Sequence, residues 1–300
     1  MAIPLLIDTD IGDDVDDALA LALALRSPEV ELVGVTTVYQ CAPLRARLAG
    51  RLLAAFGRAD VPVLAGTDRP LLGAVRPDWV PNQALVLQGG PQPAVTPGRA
   101  VEFIIREGLR RDDLVLLPIG AMTNVALAFA LEPRLLGRVR VVAMAGAWDR
   151  EGGEYNVQCD PEAVAAVLAC GAGVDFVGLD VTMQVALRAP DLARLAAAPA
   201  ASPEAAVLAF VRACQRAWRK DDSFCPTLHD PLAVAAVFRP DLLGWEEGVV
   251  RVELGQGPAR GATGLLPPAA GPAARTRVAR TVEVEAFLEL FGNRVCGGGG

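Results

Sequence analysis

The chain has 300 residues, of which 52% are apolar and only 5% aromatic, and it carries a net charge of −7. The length suits one large domain with a sizeable core, and the apolar content excludes a disordered chain. The acidic balance, with dispersed arginines and Lys220 as the only lysine, argues against a nucleic-acid surface.

Residues 3 to 25 read IPLLIDTDIGDDVDDALALALAL. The short apolar run from Ile3 to Ile7 ends in a turn signal and predicts a buried strand. Six aspartates follow within ten residues: Asp8, Asp10, Asp13, Asp14, Asp16 and Asp17. The Ala/Leu run after them alternates with period 2, as a strand would. Ala and Leu are strong helix formers without a β-branch, however, and acidic residues ahead of them suit the positive end of a helix dipole. The reading is strand, acidic loop, buried helix. Six carboxylates pinned between buried elements repel one another unless a cation joins them. Helix capping accounts for one or two of them. All-oxygen ligands favour Ca²⁺ or Mg²⁺ over Zn²⁺. An EF-hand is excluded, because counting from Asp8 the glycine falls fifth, at Gly12, and the twelfth position is Leu19.

Ser27-Pro28 ends the first helix, and the β-branched stretch VELVGVTTV at 30–38 predicts a second strand. An amphipathic, arginine-bearing helix over 43–57 and a strand from Val61 to Ala65 complete a β-α-β-α-β run, which predicts a parallel sheet covered on both faces. Residues 66–97 are rich in Pro and Gly; a loop this long is often functional, and Trp79, Asn82 and Gln83 are its candidates for facing a ligand. A helix over 98–110 leads to a strand from Leu114 to Pro118, then Gly120, and Ala121-Met122-Thr123-Asn124 opens a helix from Val125 to Leu131. A strand from Val139 to Met144 runs into the polar loop AGAWDREGGEYNVQ, after which Asp160-Pro161 makes an N-cap with proline at N1. Phe176 to Val181 predicts a further strand. The last third predicts helices over 189–197, 203–219 and from near Asp230, strands near 248–254 and 278–284, and a final helix over 284–292.

The expected fold is therefore α/β: a Rossmann-like, mostly parallel central sheet with helices on both faces and a helical C-terminal third. No linker divides residues 1–296, and the glycines at 297–300 read as a flexible tail. Ligands in open α/β sheets bind at the carboxyl ends of the strands. The acidic loop, Thr123-Asn124 and Glu154-Tyr155-Asn156 are thus expected in one crevice, and the absence of a Gly-x-Gly-x-x-Gly or Walker loop argues against a dinucleotide or NTP there. The start lacks a basic signal-peptide region and no apolar run spans a bilayer. The expectation is a cytoplasmic protein with no membrane partner, whose six cysteines stay reduced. His229, the only histidine, precedes Asp230-Pro231. Either Asp230 caps a helix and His229 is incidental, or both point into the acidic site, Asp230 as a distant metal ligand and His229 as a proton donor or polar contact.

Together these stretches resemble the inosine-uridine-preferring nucleoside hydrolase family. The resemblance runs through DTDIG…DDALAL at 8–21, GVTTV at 34–38, VPVLAGTDRPL at 61–71 and LPIGAMTNVALAFALEP at 117–133. It continues through GEYNVQCDPEA at 153–163, LDVT at 179–182 and HDPLAVA at 229–235. It implies a Rossmann-like enzyme that splits the N-glycosidic bond of a ribonucleoside or related riboside, holds Ca²⁺ against the ribose diol, and forms a homodimer or homotetramer. It implies Asp10 as metal ligand and general base, Asp17 and Asp230 as further ligands, and Thr123 as the donor of a backbone carbonyl. It gives Asp16, Glu154 and Asn156 to the ribose, places His229 near the base, and leaves Asn124 and Trp148 as further substrate contacts.

The chain departs from the family pattern Asp-x-Asp-Pro-Gly-x-Asp-Asp. Ile11 replaces the proline and two extra residues precede Asp16-Asp17, so Asp13 and Asp14 are rivals for the metal and ribose roles. The family's asparagine after the second strand falls on Cys41, Asn82-Gln83 stands where a His-Gly segment is usual, and Trp148 is nearest to another missing asparagine. The metal half is intact while several sugar and base contacts differ, which points to a nonstandard riboside. Two alternatives remain: a haloacid-dehalogenase-type phosphatase with Asp8 as nucleophile and Mg²⁺, and a non-catalytic riboside binder.

Overall fold

The computed structural model describes residues 2–75, 78–88, 93, 95–149, 152–268 and 275–297. Of the expected tail at 297–300, residues 298–300 lie outside these residues.

The apolar run opens the fold as β1 (Ile3–Thr9), with Leu5, Leu6 and Ile7 fully buried. The Ala/Leu run is α1 (Asp16–Leu25), buried at every position before Leu25. A helix apolar on all sides belongs in a core, and the period-2 pattern of alanines and leucines is immaterial when every face is covered. Next come β2 (Val30–Thr37), α2 (Ala42–Ala55), β3 (Val63–Ala65), α3 (Ala100–Arg110), β4 (Val115–Pro118), α4 (Thr123–Leu131) and β5 (Arg140–Ala143). The polar loop leads to α5 (Tyr155–Cys159), α6 (Pro161–Ala169), β6 (Val174–Phe176) and a single helical turn, α7 (Leu179–Thr182). The rest comprises α8 (Ala189–Ala197), α9 (Pro203–Ala217), α10 (His229–Phe238), β7 (Leu243–Glu247), β8 (Val249–Val252), β9 (Thr263–Leu266), β10 (Arg277–Val282) and α11 (Val284–Val295).

Eight strands form the main sheet in the order β3-β2-β1-β4-β5-β6-β10-β7. Every neighbouring pair is parallel except β10 with the edge strand β7. The strand β1 lies between β2 and β4, so the acidic loop leaves the middle of the sheet at its carboxyl edge. Two large clusters of buried side chains flank the sheet: Leu5 and Ile7 of β1 belong to one, Leu6 to the other, as alternation in a strand covered on both faces requires.

Two expectations change. The last third carries two strands beyond the two expected: β7 at the edge of the main sheet, and β9, which pairs with β8 as a separate hairpin. The strand expected over 176–181 stops at Phe176. Beyond Gly178 the chain turns into α7, and Asp180 accepts the Trp148 and Asp149 backbone N–H groups at 2.8 and 2.9 Å instead of continuing a ladder.

Candidate active site

The site is built at the carboxyl ends of β1, β4 and β5, around a cleft of about 410 Å³. Asp8, still within β1, is fully buried and acts as a brace: its Oδ1 accepts the Thr36 hydroxyl at 2.6 Å and the Asn124 amide at 2.8 Å. Asp10, just past the strand, lines the cleft. The backbone at Gly120 passes so close that a Cβ there would lie 2.8 Å from Asp10 Oδ1, which is why the end of β4 needs a glycine.

Asp16 and Asp17 open α1, and Asp230 lies in the first turn of α10, which packs against α1. One carboxylate oxygen from each of these three buried residues lies within 4.8 Å of the others. The Thr9 hydroxyl donates to Asp17 Oδ1 and orients it. Burial, then the neighbouring carboxylates, push all three well above the usual carboxylate pKa. Burial likewise lifts Asp10 to about 6, with Arg45 nearby opposing it. Ionising such a cluster without a counter-ion is expensive. Three converging hard oxygen donors, with Asp10 beside them, fit a hard divalent cation. Seven carboxyl groups line the cleft (Asp10, Asp13, Asp14, Asp16, Asp17, Glu154 and Asp230), and no lysine or arginine does so among the described residues.

Glu154 caps α5: its Oε1 accepts the Asn156 backbone N–H at 2.7 Å, and its Oε2 accepts those of Val157 and Gly146 at 3.1 and 3.3 Å. Burial pushes its carboxyl up to about 7 against those bonds. The Asn156 amide donates to the carbonyls of Ile119 and Met144, both at 3.1 Å, leaving its own carbonyl oxygen as the remaining polar atom. His229 lines the cleft with Nδ1 2.7 Å from the Thr182 hydroxyl, and burial lowers its pKa to about 4, so the ring is neutral above that pH. Trp79, Tyr155 and Trp218 supply aromatic walls.

The sequence profile of the inosine-uridine preferring nucleoside hydrolases matches residues 5–289. The chain belongs to this family. It is 32% identical to the pyrimidine-specific ribonucleoside hydrolase RihA of Klebsiella pneumoniae, over 98% of this chain and 99% of the relative. It is also 32% identical to uridine nucleosidase 1 of Arabidopsis thaliana, over 83% of this chain and 78% of that one. Among solved structures, the purine-preferring ribonucleoside hydrolase from Gardnerella vaginalis superposes with a TM-score of 0.84 at 29% identity, covering 98% of both chains. As a nucleoside hydrolase, the protein is an enzyme that hydrolyses the N-glycosidic bond of ribonucleosides. The phosphatase alternative falls with this finding, and Asp8, its nucleophile, is locked between Thr36 and Asn124.

The nucleoside hydrolase cleft gathers Asp10, Asp16, Asp17, Glu154, Asn156, His229 and Asp230, all legible in the sequence. It does not gather Thr123, Asn124 or Trp148. Thr123 opens α4 outside the cleft lining, and its hydroxyl donates to Asp160 Oδ2 at 2.6 Å. Asn124 is fully buried behind the site, bridging Asp8, the Thr37 carbonyl at 3.0 Å and the Thr67 N–H at 3.1 Å. It braces strand ends and has no face toward a substrate. Trp148 packs edge-on against Phe176, with ring centroids 5.6 Å apart. Sequence reasoning missed Ile119, Met144, Leu179 and Trp218 in the lining. It also missed Arg45, which is fully buried behind the cleft and pairs with Asp13 at 3.0 Å. The available signal was that Arg45 falls on the buried face of this arginine-bearing helix, beside Ala46, Leu48 and Ala49.

Proposed function

We propose that the chain is a Ca²⁺-dependent ribohydrolase that acts on unphosphorylated ribosides and releases ribose and free base. The observation that carries this reading is the convergence of Asp16, Asp17 and Asp230 beside Asp10. Asp10, Asp17 and Asp230 hold the cation. The backbone oxygen at the end of β4 comes from Ile119, which lines the cleft, rather than from Thr123, which does not. Held there, Ca²⁺ would supply Lewis-acid activation of the attacking water and a positive charge that favours binding of the ribose hydroxyls. Asp10 accepts the proton of the attacking water. Asp16, Glu154 and the free carbonyl oxygen of Asn156 take the ribose hydroxyls, and the carboxylates stabilise the oxocarbenium-like transition state. His229, neutral and tethered to Thr182, contacts the leaving base as a polar neighbour.

The lack of basic residues in the described lining supports nucleosides over nucleotides, because a phosphate would face seven carboxyl groups and no cation of the protein. Relatives named for pyrimidines and a neighbour named for purines match alike, so base preference rests on the aromatic walls of this chain. Six free cysteines support a reducing, cytoplasmic setting, and the family resemblance supports a homodimer or homotetramer. The test is ribose release from a panel of purine, pyrimidine and pyridine ribosides with Ca²⁺, with chelator, and with Asp10→Ala. The reading expects release that needs both Ca²⁺ and Asp10. Undiminished release in chelator would overturn the metal role, and none at all with Ca²⁺ bound would leave a riboside binder.

A further inference from the structure

We propose that Arg45 is a positioning residue for the reaction, holding Asp13 out of the metal cluster while fixing the Trp79 wall of the cleft. The proposal rests on the metal-dependent reading above.

Arg45 is fully buried on α2, and its planar fork reaches three segments that surround the cleft. Nε donates to the carbonyls of Tyr39 and Gln40, both at 2.8 Å, and Nη1 donates to the Ile11 carbonyl at 3.1 Å. Nη2 donates to Asp13 Oδ2 at 3.0 Å, and the guanidinium lies 5.1 Å from the centre of the Trp79 ring.

Each of these segments needs the arginine for a different reason. Tyr39, Gln40 and Cys41 carry φ values of 60°, 40° and 59°, three consecutive non-glycine residues in the left-handed region. Such a run persists only where surrounding bonds hold it. Two of its carbonyls end on Arg45, and the Cys41 thiol donates to the Trp79 carbonyl at 2.8 Å. Asp13 belongs to the stretch lengthened by two residues relative to the family pattern. Left alone, its carboxylate would add charge to a cluster already short of cations. The backbone of this stretch is latched as well: the Gln83 amide donates to the Asp14 carbonyl at 2.6 Å, and the Gln83 N–H to the Gly12 carbonyl at 2.8 Å. A lysine could supply the charge but not the fork, which reaches three carbonyls, a carboxylate and an indole face at once.

The test measures Ca²⁺ binding to metal-stripped protein by calorimetry, with Tm and steady-state kinetics on a released-ribose substrate. Arg45→Met removes a buried positive charge and frees Asp13, so Ca²⁺ should bind about fivefold tighter or more by Coulomb attraction. At the same time kcat/KM should fall at least about tenfold, because Asp13 and the wall are displaced. In the double variant Arg45→Met/Asp13→Asn, Ca²⁺ affinity should return to within about twofold of wild type. Arg45→Lys, which keeps the charge, should leave Ca²⁺ affinity unchanged while KM rises, and it serves alone if Arg45→Met does not fold. Weaker or unchanged Ca²⁺ binding in folded Arg45→Met overturns the proposal, as does a wild-type KM in Arg45→Lys. A merely structural arginine would lower Tm and Ca²⁺ affinity together. If the wild type releases no ribose, the functional reading fails, while the Ca²⁺ titrations still decide whether Arg45 opposes Asp13.

Discussion

Asp10→Asn should make the metal-free protein more stable at neutral pH and the Ca²⁺-loaded protein less so. Burial lifts the Asp10 carboxyl from 3.8 to about 6 in the folded chain. A carboxyl whose folded pKa lies above its unfolded value holds its proton longer in the folded state. Its contribution to stability is intact at low pH, falls as pH rises from about 4 to about 6, and stays reduced above that. Each tenfold change in proton affinity is worth about 1.4 kcal/mol, so ionising Asp10 costs the metal-free fold up to about 3 kcal/mol at pH 7. Asparagine keeps the shape and removes that cost. At about 2–4 °C per kcal/mol for a large domain, Tm in chelator should rise by several degrees at pH 7 and hardly change at pH 4. With Ca²⁺ at about a thousand times its Kd, wild type gains about 4.1 kcal/mol and the variant much less, so the order reverses. Thermal melts of both proteins at the two pH values, with chelator and with Ca²⁺, check all four corners. A variant less stable than wild type in chelator at pH 7 would refute the reasoning that Asp10 is a buried charge awaiting a cation.

Nucleoside 5′-monophosphates should be turned over at least about a hundredfold less efficiently than the parent nucleosides, reflecting a dianion brought against uncompensated carboxylates; comparing kcat/KM for each pair checks this. Asn124→Ala should destabilise the fold by about 2–4 kcal/mol, since Asp8 and the Thr67 N–H lose buried partners, without raising KM in protein that remains folded. Denaturant melts alongside kinetics separate the two effects. Thr123→Val should lower Tm through the loss of its bond to Asp160 yet leave Ca²⁺ affinity unchanged in calorimetry. With the His229 pKa lowered to about 4, the pH profile of kcat/KM should show no inflection near 6.5 that disappears in His229→Gln.

The polar side chains that gather in the cleft were legible because their chemistry survives in the sequence: carboxylates crowded at the end of an apolar run, Glu154 with Asn156, and Asp230 opening a helix. Apolar residues that line the cleft left no such mark. Ile119 reads as an ordinary strand-end aliphatic, and only the passage of β4 beside Asp10 brings its carbonyl into view. Asn124 and Trp148 lie outside the cleft lining, because a polar or aromatic residue near a strand end can face inward as well as outward. Asn124 turned inward to satisfy Asp8, and Trp148 packed edge-on against Phe176. Trp218, at the end of α9, reaches the cleft only through tertiary packing. The parallel half of the sheet was readable from its β-branched runs. The edge strand β7, with the sequence LGWEE, was missed because it is mostly exposed and short of the apolar signal that buried strands carry.

The most direct test of the whole account is the Ca²⁺ stoichiometry of the purified protein, measured by equilibrium dialysis beside ribose release for wild type and Asp230→Ala. Wild type should hold one Ca²⁺ tightly per chain, and the variant should lose both the ion and ribose release. Full ribose release from metal-free protein, or from Asp230→Ala without its ion, would contradict it.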